Sequence, residues 1–389
     1  MFKIKTLNNI SSAGLDFLRD ANYTVSDEVE NPDGILVRSY NMHDMELPSN
    51  LKAIARAGAG VNNIPLEKCA ERGIVVFNAP GANANAVKEL TIAALLLSNR
   101  NIIEGVGWVN SLKGKDIDVA EAVESQKKKY VGPEVKGKKL GVIGLGSIGV
   151  MVANAAVSLG MEVEGFDPYI SVDSAWGLSR AVQKASSFDS LLKTSDYITL
   201  HVPLIEETEN MMDAGKFALM KKGVRLLNMS RGGLVDNKAL KQAIEEGTVV
   251  KYVTDFPDAE ILEMDNVIAV PHLGASTPES SDNCALMAAG ELKDYLENGN
   301  IENSVNYPDC ELNRSSEYRI TLVNRNIPNM VGQISTDLAE EDINILNMIN
   351  RSKGDYAYTI IDIDREVSPS ILETLQNIEG ILNVRYLNN

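Results

Sequence analysis

Six residues, Gly144-Leu145-Gly146-Ser147-Ile148-Gly149, stand between a short run of β-branched residues and glycine and a helical pattern at Ile148, Val152, Ala155 and Leu159. A second apolar run over 161–166 closes on Asp167. Strand, glycine turn, helix, strand and acid then follow in the order that dinucleotide binding requires. The first glycine permits the tight turn, the second lets the backbone approach a pyrophosphate, and the third lets helix pack close to strand. The pyrophosphate would rest on the free N–H groups at the helix start. Asp167 would accept hydrogen bonds from the adenosine ribose, and its charge repels a 2′-phosphate. Pro168 and Tyr169 supply no cation to offset that charge, so the expected cofactor is NAD rather than NADP.

Three further residues lie at the ends of later apolar runs. Arg231 sits in Asn228-Met229-Ser230-Arg231-Gly232-Gly233, Glu260 follows Thr254-Asp255, and His272 opens Pro271-His272-Leu273-Gly274-Ala275-Ser276-Thr277. An arginine holds a carboxylate through two parallel bonds, and an imidazole exchanges a hydroxyl proton near neutral pH. A carboxylate paired with that imidazole fixes its tautomer and favours its charged form. With a nicotinamide beside them, these groups suffice to interconvert a 2-hydroxy acid and a 2-oxo acid. Of the three histidines in the chain, only His272 falls in the expected crevice.

The elements that must position these groups alternate as an α/β protein does. Short buried strands are expected over 2–7, 34–37, 53–57 and 74–77, with helices over 12–20 and 66–71 between them. A long apolar helix over 87–99 leads to the glycine motif. Strands over 197–202, 224–229, 250–255 and 267–270 follow, with a helix over 237–246. This is a Rossmann-type doubly wound parallel sheet whose ligand crevice lies at the carboxyl ends of the strands. A helix over 285–296 returns to the first domain. The polar stretch 297–317 reads as a linker. Beyond it, strand 318–323, helix 330–340, a hairpin of 345–350 with 356–364, helix 369–378 and strand 382–386 give a ferredoxin-like βαββαβ order. The expected domains are 1–95 with 283–300, a flavodoxin-like substrate domain; 96–282, the cofactor domain; 301–317, a linker; and 318–389, a regulatory module.

Composition narrows the function classes. A net charge of −17 argues against a nucleic-acid partner and points to a cytoplasmic protein. The amino-terminal residues lack a charged-then-apolar signal layout, and the apolar run 92–97 is too short to span a bilayer. Cys69, Cys284 and Cys310 lack metal-ligand spacing, so buried, idle thiols are expected and no metal is.

Five segments together resemble the D-isomer-specific 2-hydroxyacid dehydrogenases: Arg56-Ala57-Gly58-Ala59-Gly60-Val61-Asn62-Asn63-Ile64, the glycine turn, His201-Val202-Pro203, Asn228 to Gly233, and Pro271 to Thr277. The resemblance extends over essentially all 389 residues, to the short members that end in an ACT domain. It implies oxidation of 3-phospho-D-glycerate to 3-phosphohydroxypyruvate, the first step of phosphorylated L-serine biosynthesis, with Arg231, Glu260 and His272 catalytic. It implies that Gly144, Gly146, Ser147, Ile148, Gly149, Asp167, His201, Val202, Pro203, Asn228, Asp255 and Gly274 hold the cofactor, Asp255 through the nicotinamide amide. Arg38, Arg56, Gly58, Ala59 and Gly60 are implied as substrate ligands, with the lysines over 127–129 weaker phosphate candidates and Asn78, Asn83 and Asn85 in a loop over the substrate. In the ACT-like module, Asn326 and Asn344 match amide side chains that bind L-serine in relatives, Asn324 replaces a histidine found there in some of them, and Asn329 replaces a glycine. A homodimer or homotetramer is implied too. Family members usually read Asp-Val-Phe-x-x-Glu-Pro where this chain reads Asp255-Phe256-Pro257-Asp258-Ala259-Glu260. Counting from Asp255 selects Glu260, whereas aligning on Phe-Pro selects Ala259, with Glu260 or Asp258 as substitute. The alternative activity is that of another family member, such as a glyoxylate or hydroxypyruvate reductase, and a non-catalytic NAD sensor is a third reading.

Overall fold

The computed structural model describes residues 1–388. The chain forms two compact units, Ala84–Thr277 and Met1–Asn83 joined by the chain from Pro278 onward. The first unit opens with β1 (Lys3–Leu7), α1 (Ser12–Asp20), β2 (Thr24–Ser26), β3 (Gly34–Val37), β4 (Ala53–Arg56), α2 (Leu66–Glu71) and β5 (Val75–Phe77). The strands pair in parallel in the order β2-β1-β3-β4-β5, the flavodoxin-like arrangement whose crevice lies at the switch between β1 and β3. All four residues of β3 are buried, as a strand covered on both faces requires.

The second unit contains α3 (Ala84–Asn99), α4 (Ile102–Asn110), α5 (Val119–Gln126), β6 (Lys139–Ile143), α6 (Ser147–Ser158), β7 (Glu162–Phe166), α7 (Val172–Gly177), β8 (Gln183–Lys184), α8 (Phe188–Thr194) and β9 (Tyr197–Leu200). It continues with α9 (Ala214–Leu219), β10 (Val224–Asn228), α10 (Asn237–Glu245), β11 (Val249–Thr254), α11 (Ala259–Leu262) and β12 (Val267–Ala269). Its seven parallel strands run β12-β11-β10-β9-β6-β7-β8. The order reverses between β6 and β9, which places the glycine turn after β6 beside the loop after β9. The expected boundary at 95/96 lies inside α3. The whole helix joins this unit, because Val87, Ala94 and Leu95 share one core with Val142, Leu227 and Val253.

Helix α12 (Pro278–Asn298) then returns to the first unit, and packs on α1 and β4. A Cβ on Gly14 would meet the Ala285 carbonyl oxygen at 2.6 Å, so only glycine permits this helix contact. The segment expected as a linker is instead structured. Ile301 pairs with Cys310, and Tyr307 is fully buried with its hydroxyl donating to the Ala70 carbonyl at 2.5 Å. Its polar composition concealed one aromatic anchor.

The carboxyl-terminal module comprises β13 (Tyr318–Arg325), α13 (Met330–Glu340), β14 (Ile345–Lys353), β15 (Tyr356–Ile363), α14 (Pro369–Gln376) and β16 (Ile381–Asn388). Its antiparallel order β14-β15-β13-β16 is ferredoxin-like. Asn329 adopts φ +67°, the left-handed backbone expected where relatives carry glycine. Ile320 and Leu322 pack with Ile334, Leu338 and Leu375. From the module and its approach, Arg385 donates to the carbonyls of Tyr295 and Leu296, Arg314 to Glu297, Arg319 to Asn298 and Tyr358 to Gly299. Five consecutive carbonyls at the end of α12 are thus capped, where orphan acceptors and the negative end of the helix dipole favour guanidinium. Among the described residues no helix is long and apolar enough to cross a membrane.

Candidate active site

The glycine turn has the shape its residue types demand. Gly144 has φ +89°, and a Cβ there would lie 2.5 Å from the His201 carbonyl oxygen. A Cβ on Gly149 would approach the Gly144 carbonyl oxygen to 1.9 Å, whereas Gly146 faces open space. Gly146 caps α6 without a side-chain bond, so the helix start carries no protein anion of its own. Asp167 is fixed by the N–H groups of Leu145 and Tyr169, both donating at 2.8 Å. His201 packs beneath the turn with Nε2 2.9 Å from Thr199 Oγ1. Burial pushes its pKa down to about 3, so the ring is neutral, and its buried Nδ1 has no partner among the described residues. Open backbone, an uncapped helix start and a fixed acid fit a dinucleotide.

The next strand ends carry Arg231, Asp255 and His272. Fully buried Asn228 shapes the loop after β10: its Nδ2 donates to the Arg231 carbonyl at 2.8 Å, and its Oδ1 accepts from the Ser230 N–H at 3.1 Å. The Arg231 guanidinium carbon then lies 5.8 Å from the centre of the Phe256 ring. The His272 ring lies against the same phenyl, centroids 4.6 Å apart. The His272 N–H donates to the Asp255 carbonyl at 2.9 Å, and its backbone takes φ +41°. The other non-glycine residues with positive φ among the described residues are asparagines and one aspartate, and His272 is the one imidazole held in that sparsely populated region. Asp255 is buried, with Oδ2 accepting from the Gly274 N–H at 2.9 Å and Oδ1 without a partner among the described residues. Burial raises its carboxyl pKa, against the pull of that N–H, His272 and Arg231.

In the first unit, Arg38 and Arg56 meet at the carboxyl ends of β3 and β4, where Arg56 Nε donates to the Arg38 carbonyl at 3.0 Å. A Cβ on Gly58 would lie 2.5 Å from Arg56 Nη1, so glycine leaves room for the guanidinium over the Gly58-Ala59-Gly60 loop. Asn78 Nδ2 donates to the Ala59 carbonyl at 2.6 Å and holds the loop from behind.

Other expected groupings do not form. Among the described residues no hydrogen bond or ion pair joins Glu260 to His272. Asp258 caps α11 through the Ile261 N–H and takes Asn237 Nδ2 on its other oxygen, and this sets Glu260 on the exposed start of the helix, in a groove with Asn237 and Lys238. In the carboxyl-terminal module, Asn324, Asn326 and Asn344 lie apart from one another within this chain. Asn326 bonds to the hairpin turn at Gly354 and Asp355, while Asn344 pairs with Asp364 at the opposite end of the nine-residue β14. Buried Asn324 donates to the Arg325 carbonyl. The lysines over 127–129 form an exposed turn in which Lys127 pairs with Glu124. Cys69, Cys284 and Cys310 are buried free thiols. Sequence reasoning passed over Phe256; its signal was the phenylalanine directly after Asp255, where relatives place valine.

Residues 92–274 match the model of the D-isomer specific 2-hydroxyacid dehydrogenase, NAD binding domain. A D-3-phosphoglycerate dehydrogenase of Escherichia coli is 33% identical over 368 residues, covering 91% of this chain and 86% of that one. The chain belongs to the D-isomer-specific 2-hydroxyacid dehydrogenase family. A family member from Methanocaldococcus jannaschii, also named D-3-phosphoglycerate dehydrogenase, is 36% identical over 83% of this chain. The chain spans 60% of that relative's length, and likewise 60% of the Archaeoglobus fulgidus enzyme. The NAD+-bound 3-phosphoglycerate dehydrogenase of Entamoeba histolytica superposes on 78% of this chain, with a TM-score of 0.61 and 26% identity.

Proposed function

We propose that the protein is an NAD-dependent dehydrogenase that oxidises 3-phospho-D-glycerate to 3-phosphohydroxypyruvate, the entry to phosphorylated L-serine biosynthesis. The observation that carries the reading is that Arg231 and His272 both lie over one phenyl ring, at strand ends of the sheet that carries the glycine turn. Gly144, Gly146, Gly149 and Asp167 would hold the dinucleotide, and Asp255 Oδ1 would accept from the nicotinamide amide. When bound, the nicotinamide supplies a hydride acceptor for C2. Arg231 grips the substrate carboxylate. His272 takes the C2 hydroxyl proton in its neutral form and returns it in the reverse direction, while Arg231 steadies the developing alkoxide. Arg38 and Arg56 supply positive charge for the phosphate. The relatives named above support this substrate. We also propose a homo-oligomer, because α4 and α5 contain no buried residue and expose Ile102, Ile103, Val106, Val109 and Val119. A second copy would cover that face; sedimentation of a monomer would dismiss it.

The test is NADH formation by the purified chain with 3-phosphoglycerate, D-glycerate and D-lactate, each with and without L-serine. A strong preference for the phosphorylated acid is the expected result. Equal or faster oxidation of the others would move the reading to a general 2-hydroxyacid dehydrogenase. Inhibition in the serine arm would assign the carboxyl-terminal module an effector.

A further inference from the structure

The pairing expected to orient His272 is missing, yet the imidazole is not loose. Its backbone is pinned in the left-handed region by bonds from its N–H to the carbonyls of Asp255 and Val270. Its ring rests on Phe256 at 4.6 Å between centroids and 47° between planes. The Arg231 guanidinium carbon lies 5.8 Å from the centre of the same phenyl. Phe256 is itself fixed, since its N–H donates to Thr254 Oγ1 at 3.1 Å. One partly buried ring therefore packs against His272 and lies within cation–π range of Arg231.

We propose that Phe256 is a positioning residue that sets the spacing of His272 and Arg231 and, through its π face, supports the charge the imidazole acquires on taking the hydroxyl proton. This rests on the dehydrogenase reading. A phenyl face attracts a cation within about 6 Å of its centroid, so it favours imidazolium over imidazole without a carboxylate. The charged groups facing His272 are Arg231 from the β10 loop and Asp255 at the end of β11. The ring replaces part of what a paired acid would do, in a chain whose motif puts phenylalanine directly after Asp255.

The test compares Phe256→Leu, which keeps apolar bulk and loses the π face, with Phe256→Tyr, which keeps both. For Phe256→Leu, kcat for 3-phosphoglycerate oxidation should fall at least tenfold and KM should rise several-fold. The acid limb of the kcat/KM profile should move to lower pH by about half a unit. Thermal stability and NADH affinity should stay unchanged, and Phe256→Tyr should return the activity to within about threefold of the parent. Parental kcat and an unmoved acid limb in Phe256→Leu would overturn the proposal. So would equal losses in both variants with a lowered melting temperature, which mark a purely structural ring. An imidazole titration by NMR separates this from the parent reading. It follows His272 against His43 and neutral His201 and needs no turnover. If the parent oxidised no 2-hydroxy acid, the dehydrogenase reading would fall, while a lowered His272 pKa in Phe256→Leu would still uphold the ring's effect on the imidazole. An unchanged His272 titration overturns the proposal whatever the activity.

Discussion

His272 occupies the left-handed backbone region, at φ +41°, which costs a non-glycine residue on the order of 1 kcal/mol or more. The bonds of its N–H to Asp255 and Val270 hold the strain, and the result is an imidazole presented beside Arg231. Replacing it with alanine should lower kcat by about 10²–10⁴-fold, the usual contribution of a positioned acid–base group. NADH affinity, read by fluorescence titration, should barely change; an unaltered kcat would remove the proton-transfer role. Asp167 makes a separate prediction. Its carboxylate is fixed by two N–H donors, so Asp167→Ala removes a negative charge and an acceptor without disturbing a core. The ratio of kcat/KM for NAD to that for NADP should fall by about tenfold or more, and an undiminished preference for NAD would take Asp167 away from the ribose.

At the scale of elements, the loop between β6 and α6 tolerates no added carbon where helix meets strand. Gly149→Ala would press a Cβ into the Gly144 carbonyl, so the turn must open or the helix must shift. NADH binding should weaken by two orders of magnitude or the unit should lose several kcal/mol of stability, distinguished by titration and circular dichroism. This loop was legible in the sequence because each glycine has its own steric reason. So were α1, α2, α13 and β3, whose observed bounds match the expected ones, since the helices show apolar periodicity and β3 is one unbroken buried run. The short edge strands β2 and β8 were passed over: three and two residues cannot show a period. The pairing of Glu260 with His272 was read from spacing along the chain, which does not register that Asp258 starts a helix and directs its neighbour outward. The phenyl under Arg231 and His272 joins loops after β10, β11 and β12, a convergence that no local pattern encodes.

In the molecule as a whole, the module that begins with β13 holds a buried ion pair, whose arginine also donates to the Asn298 carbonyl at the end of α12. Arg319 and Asp362 are both fully buried and joined by two bonds, at 2.6 and 3.1 Å. Burial alone would raise the Asp362 carboxyl pKa, but Arg319 and the donors of Ser315 outweigh it and hold it below the ordinary range. A carboxyl depressed in the folded state contributes stability that is complete above its unfolded value of about 3.9 and is lost as pH falls through the lower folded value. Arg319→Met should cost about 3–5 kcal/mol, because Asp362 keeps a buried charge without its partner. Urea unfolding at neutral pH measures that cost, and a change below about 1 kcal/mol would mean that water or another donor replaces the guanidinium.

The five capped carbonyls at the end of α12 carry a consequence for inheritance. A regulatory module joined by a flexible tether can be shuffled between enzymes, because the recipient owes it nothing. Here the recipient helix ends on acceptors that Arg319, Tyr358 and Arg385 satisfy from inside the module. A substitute of the same topology that lacked those three side chains would leave the helix end stripped of both protein donors and solvent. The two parts of this chain can therefore exchange partners only in matched pairs, and their lineages are bound together at one turn of helix.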